Sequence, residues 1–261
     1  MSSPDLHSNP YAATQVSLQQ PMYDQDSDYV EGGQGVALGE VFGWFGEGFN
    51  YFKAAPGKWM LVVIIWGILS VMLGIVPFLG ALAGELARPV FLGGLVIGCM
   101  AIDHGDSFEV DHLFEGFKRN FGSLVLVGLL LLAGLIAVFM VIGVGTAIVG
   151  VSIFSAKSSL ALHPALWLLP FAALLLFIPL GMAYYFAPVL VVTQGLQPFE
   201  AMKESFRGCA KNILPFLLFG VVAVVLMVLA TLPLFLGWLV FFPLIIGAQY
   251  AAYKSIYLRQ D

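Results

Sequence analysis

The chain has 261 residues, of which 60% are hydrophobic and 10% charged, against roughly 25% charged in ordinary soluble domains. With 11 basic and 16 acidic residues and a mean hydropathy of +0.93, there is too little polar surface to cover a water-soluble globule. A pI near 5.3 and the lack of any basic stripe exclude a nucleic-acid binder.

Residues 1–35 carry Asp5, Asp24, Asp26, Asp28 and Glu31 and no Lys or Arg, so they hold the whole net charge of −5. The segment is rich in Ser, Gln, Asp, Pro and Gly and reads as a disordered acidic tail. It lacks the basic stretch and apolar core of a secretory signal peptide. Residues 36–261 form the second unit, a transmembrane domain. In it, Leu38, Val41, Phe42, Phe45, Phe49 and Phe52 share a helical face opposite Glu40, Glu47 and Asn50. That pattern predicts an amphipathic helix lying flat in the headgroup region.

Long uncharged gaps follow, at 59–84, 89–102, 120–156, 158–199 and 212–253. A spanning helix needs about 20 apolar residues. The gaps predict six spans, near 58–79, 82–103, 121–147, 166–193, 212–232 and 236–256, with Pro233 and Gly237 turning the chain between the last two. An even number of spans puts both termini on one side. That side holds Lys53, Lys58, Lys118, Arg119, Lys203, Arg207, Lys211, Lys254 and Arg259, whereas the other holds only Arg88 and Lys157. The bias places both termini, and the tail with them, in the cytoplasm. Cys99 falls in a span and Cys209 in a cytoplasmic segment, neither an oxidising site, so no disulfide is expected.

An internal repeat organises the spans. Pro89 to Asn120 resembles Pro179 to Asn212 through the pairs Pro89/Pro179, Gly105/Gly195, Phe108-Glu109/Phe199-Glu200, Phe114-x-Gly116/Phe206-x-Gly208 and Asn120/Asn212. Pro243 and Gly247 match Pro89 and Gly93 as a partial third copy. The polar part of each copy reads as an amphipathic helix. Over 199–211, Phe199, Met202, Phe206 and Cys209 form one face and Glu200, Lys203, Glu204, Arg207 and Lys211 the other, with Pro198 as a start signal. Over 107–119, Asp106-x-x-Glu109 resembles a capping box, with Val110, Leu113, Phe114 and Phe117 expected to be buried. The module is an interfacial helix followed by a two-span hairpin, repeated in parallel.

Ionisable residues inside a membrane are functional hypotheses, and Glu85 and Arg88 are the main pair. Three apart, they share a face and can pair. They could gate a path or contact a headgroup, or they could be a structural ion pair before Pro89; the sequence favours the structural role. Asp103-His104-Gly105-Asp106 with Asp111-His112 has metal-ligand residue types. The helical phases do not converge, and a solvated loop is the better reading. His163, beside Pro164, reads as an interface histidine. No catalytic motif or nucleotide-binding loop occurs, so no catalytic, cofactor or metal residue is assigned. Gly80-x-x-x-Gly84 and Gly94-x-x-x-Gly98 signal close helix packing. Pro170, Pro179, Pro188, Pro215 and Pro243 predict kinks.

The runs Pro89-Val90-Phe91, Ile97-Gly98-Cys99 through Asp103-His104-Gly105, His112-Leu113-Phe114 through Phe117, Phe186-Ala187-Pro188 and Ser205-Phe206 through Asn212 carry a resemblance. Over about 38–257 the chain resembles an uncharacterised family of bacterial multi-pass inner-membrane proteins. It is similar more loosely to the YciC-like proteins and to the membrane domain attached to some glycerophosphodiester phosphodiesterases. Asn9-Pro10-Tyr11-Ala12-Ala13 is similar to a motif near the start of such chains. The resemblance implies a bacterial inner membrane and about six helices, and it transfers no catalytic residue. Where the family commonly has a basic residue, this chain has His104.

The expected fold is therefore an all-α bundle of six transmembrane helices with three cytoplasmic interfacial helices. The leading functional expectation is a non-enzymatic membrane protein acting in envelope organisation or as a partner of other membrane proteins or of its own copies within the bilayer. The second is a transporter or channel for an apolar or lipid-like solute, and a membrane enzyme ranks last.

Overall fold

The computed structural model describes residues 28–156 and 164–259; the acidic residues before 28, Lys157 and His163 lie outside them. Ten helices are present among the described residues: α1 (Glu40–Ala54), α2 (Pro56–Gly74), α3 (Leu79–Asp103), α4 (His112–Lys118), α5 (Phe121–Ala156), α6 (Pro164–Tyr185), α7 (Ala187–Gln194), α8 (Pro198–Lys211), α9 (Ile213–Thr231) and α10 (Trp238–Tyr257). Six stretches are long and apolar enough to cross a membrane: α2, α3, Phe121–Val151 of α5, Ala173–Gln194 across α6 and α7, α9 and α10. This is an all-α, multi-pass architecture. The shortest spans have 19 residues, about 28 Å of helix, which matches a hydrocarbon core of roughly 30 Å. Helix α5 runs past the expected end at 147 to Ala156, because neither a proline nor a charge interrupts it.

The fourth span is two helices. Pro188 has no N–H to return to Tyr184, and its ring crowds that carbonyl, so the helix breaks at Phe186 between α6 and α7. Polar side chains from other helices take up the freed backbone groups, as the apolar layer requires. Ser205 Oγ accepts the Phe186 N–H at 2.9 Å and donates to the Met182 carbonyl at 2.6 Å. Gln249 Nε2 donates to the Tyr185 carbonyl.

Helices α3 and α10 form the centre: twelve residues of each are buried, against two in α2 and three in α9. The outer helices present Ile64, Ile68 and Val71 on α2 and Val221, Val224 and Val228 on α9 to the surroundings. Three short helices pack on proline-bearing spans: α4 on α3, α8 on α6 and α7, and α1 on α10. Glycines make the first and last contacts possible. A Cβ on Gly116 would strike the Val90 carbonyl, and one on Gly48 would strike the Leu244 carbonyl. Gly94 likewise admits α4 against the His112 carbonyl, and Gly98 admits the Phe108 ring from the loop before it.

These contacts revise the faces read from the sequence. In α8 the buried residues are Pro198, Ala201, Glu204, Ser205, Gly208 and Cys209, while Phe199 and Phe206 are exposed. In α4 only Leu113 and Gly116 are buried, and Phe114 and Phe117 stand out. In α1, Phe42 and Phe49 are exposed, and Trp44, Gly48 and Tyr51 join Val41, Phe45 and Phe52 inside. In α4 and α8 close approach to a span selects small residues, which turns Phe114, Phe117, Phe199 and Phe206 away from it. The capping box is absent too: α4 starts at His112 without a side-chain cap, and His112 Nδ1 instead accepts the Glu109 N–H at 2.9 Å. Both cysteines are free and buried.

Residues 28–36 are docked, although the first eight of them belong to the stretch expected to be a disordered tail. Asn212 Oδ1 accepts the Val36 N–H at 2.8 Å, and its Nδ2 donates to the Gln34 carbonyl at 2.9 Å and the Gly208 carbonyl at 2.8 Å. Lys211 donates to the Gly33 carbonyl at 2.7 Å. Val30 and Gln34 donate to Tyr257 and Ile256, both at 2.8 Å. At Gly32 and Gly33 φ is +73° and +64°, a turn that glycine makes without steric cost. This turn aims the Gly32 N–H at Glu204. The carboxylate, expected on the solvated face of α8, is buried. Arg207 at 2.7 Å and the Gly32 amide satisfy it there.

Candidate functional site

Glu85 and Arg88 lie six and nine residues into α3, about 9 and 14 Å along its axis. Arg88 Nη2 donates to Glu85 Oε1 at 2.9 Å, and the side chains are 54% and 36% exposed. They line a cleft of about 760 Å³ between α2 and the first half of α3, floored by Trp66, Phe91 and Phe242. The local sequence produces this opening. Phe78, at φ +63°, reverses the chain after α2, and Gly80 lets the start of α3 touch the Leu73 carbonyl, where a Cβ would collide. The cleft opens beside that contact. Gly67, Gly74 and Gly84 line the gap, and a Cβ on any of them would meet nothing within 4 Å. The cleft falls within the range of small-molecule sites, roughly 300–1,000 Å³. It offers an apolar trough with one cation and one anion on its wall.

The loop after α3 is arranged differently from a metal site. Asp103 Oδ1 accepts from Tyr51 Oη at 2.7 Å, and Oδ2 accepts from Lys254 Nζ at 2.8 Å. Lys254 also reaches Tyr51 Oη at 2.8 Å and Glu47 at 3.1 Å. His104 Nδ1 lies 2.7 Å from the Met100 carbonyl. Asp103 is thus committed to tying α3 to α1 and α10. Burial and the Asp103 carboxylate both push the Tyr51 phenol well above its usual range. Further along, the Lys58 ammonium at 2.6 Å and the Ser107 hydroxyl hold Glu109 below the usual carboxylate range. Lys118 does the same for Glu115. Burial lowers His112.

Sequence reasoning found the pair Glu85/Arg88, which the structure brings together on the cleft wall. It missed Tyr51, Glu47 and Lys254 as partners of Asp103, and Ser205 and Gln249 at the break in the fourth span. Lys254 ends the last uncharged gap and served only as an orientation marker. The one signal for its packing role was its place on the same helix as Gly247, where α1 closes in.

A probable inner membrane protein of Burkholderia thailandensis is 26% identical to this chain over 188 residues, covering 68% of the chain and 69% of the relative. No family model matches the chain, and no solved structure matches it. The looser likenesses to YciC-like proteins and to the phosphodiesterase membrane domain gain no support from these comparisons.

Proposed function

We propose that this chain is a non-enzymatic, multi-pass protein of the bacterial inner membrane that takes a lipid-like amphiphile into the cleft between α2 and α3. The observation that carries the reading is the coincidence of an apolar trough with an ion pair about two helical turns from the start of α3. Ionisable residues within a span are costly, pair with one another and mark functional sites by default. Of the two readings left open by the sequence, the cleft favours passage or retention of a lipid-like solute. The relative's name supports the inner membrane, and the absence of catalytic motifs in the sequence supports a non-enzymatic role.

Both termini are placed in the cytoplasm by the Lys and Arg bias, with α1, α4 and α8 in the headgroup layer. The exposed Phe42, Phe49, Phe114, Phe117, Phe199 and Phe206 support that placement, because aromatic rings favour the interface. The repeat gains support from the glycine contacts. Gly116 meets the carbonyl of the residue after Pro89, and Gly48 meets the carbonyl of the residue after Pro243. Helix α1 then takes on α10 the place that α4 takes on α3.

Gly84→Trp tests the cleft, since it adds a bulky ring where the backbone leaves open space. Native mass spectrometry of protein released from the membrane should show a retained phospholipid on the wild type and loss of it from the variant. Equal retention by both would overturn the reading.

A further inference from the structure

We infer that the cleft ligand is a zwitterionic phospholipid, with its phosphate on Arg88 and its ammonium on Glu85; this rests on the lipid-binding reading above. The argument is one of charge and spacing. The wall presents one cation and one anion at 2.9 Å from each other, with both side chains open to the cleft. A guanidinium has five N–H donors in a planar fork, suited to phosphate, and a carboxylate has about four acceptor sites. The contact between them uses one donor and one acceptor, so each group keeps capacity for a ligand. The facing Arg88 Nη2 and Glu85 Oε1 lie 2.9 Å apart, so the phosphate and the ammonium of one ethanolamine head can reach the two groups together.

A net-neutral pair discriminates by sign. An anionic headgroup that satisfies Arg88 brings its second polar end to Glu85 without a compensating charge. A purely cationic amphiphile meets the converse at Arg88. A zwitterion matches both, and the acyl chains have Leu73, Trp66, Phe91 and Phe242 to lie against.

The full-length protein, in mixed micelles holding equal phosphatidylethanolamine and phosphatidylglycerol of matched chains, provides the test, read by native mass spectrometry. The wild type should retain the ethanolamine lipid over the glycerol lipid by roughly fivefold, the scale of one partly exposed ion pair. Glu85→Gln should keep a bound phospholipid but lose that preference. Arg88→Gln should lower retention of both lipids. The Glu85→Arg/Arg88→Glu double variant keeps an ion pair on the wall and controls for folding. Equal wild-type retention of both headgroups, or an unchanged preference in Glu85→Gln, would overturn this inference and leave the cleft reading standing. No retained lipid on the wild type would overturn both.

Discussion

Asn212 is the residue on which the docked N-terminal segment depends most. It is 1% exposed and makes three hydrogen bonds of 2.8 to 2.9 Å, two of them to residues 34 and 36 and one to Gly208. Asn212→Ala removes all three and strands the Val36 N–H and two carbonyls. At about 1 kcal/mol net per bond the loss is about 3 kcal/mol. At 2–4 °C per kcal/mol, that is a fall of roughly 6–12 °C in Tm. The matching position in the other copy supplies the control. Asn120 makes one such bond, to the Val191 carbonyl at 2.9 Å, and sits at φ +56°, so glycine is the neutral replacement there. Asn120→Gly should cost about 1 kcal/mol, or roughly 2–4 °C. Thermal melts in one detergent, with limited proteolysis of the 28–36 segment, read both effects. Asn212→Ala should expose that segment to cleavage, and Asn120→Gly should not. An Asn212→Ala melt within 2 °C of wild type, or an equal fall for Asn120→Gly, would refute the reasoning.

Further outcomes follow from other contacts. A double-mutant cycle of Lys254→Met and Asp103→Asn should give a coupling energy of about 0.5–3 kcal/mol, since both side chains are 29% exposed. The Lys118/Glu115 pair, whose lysine is 60% exposed, should couple by under about 1 kcal/mol. Gly116→Leu and Gly48→Leu should each destabilise the fold by about 1–3 kcal/mol or more in denaturant titration, because their Cβ atoms meet backbone. The neutral His112 ring contributes stability above about pH 6.5, the ordinary histidine value, and the contribution is lost as pH falls through its lowered folded value. Melts at pH 7.5 and 5.5 should therefore differ more for wild type than for His112→Gln. Glu115 has the same sign, but its loss falls in the acid range below the usual carboxylate value.

The spans were legible because hydrocarbon demands long apolar runs, and the chain supplies them between widely spaced charges. The break in the fourth span was visible as Pro188, but the side chains that repair it were not, because Ser205 and Gln249 come from α8 and α10. The face of α8 was misjudged for a physical reason. Bulk marks the apolar side of a helix, whereas close packing against a span selects Ala201, Ser205 and Gly208. Docking of residues 28–36 left no local trace, since a Gly-Gly turn in an acidic stretch gains its partners more than 170 residues away. Glu85 and Arg88 could be paired from their spacing alone. The cleft beside them could not be read, because it depends on how α2, α3 and Phe242 of α10 pack around it.

A density map of the protein in a bilayer disc of phosphatidylethanolamine tests the cleft reading most directly. It should show α2 and α3 splayed beyond Gly80, with continuous density running from Arg88 to Trp66 and Phe242. Helices closed on each other along Gly67, Gly74 and Gly84, with no room for an acyl chain, would contradict it.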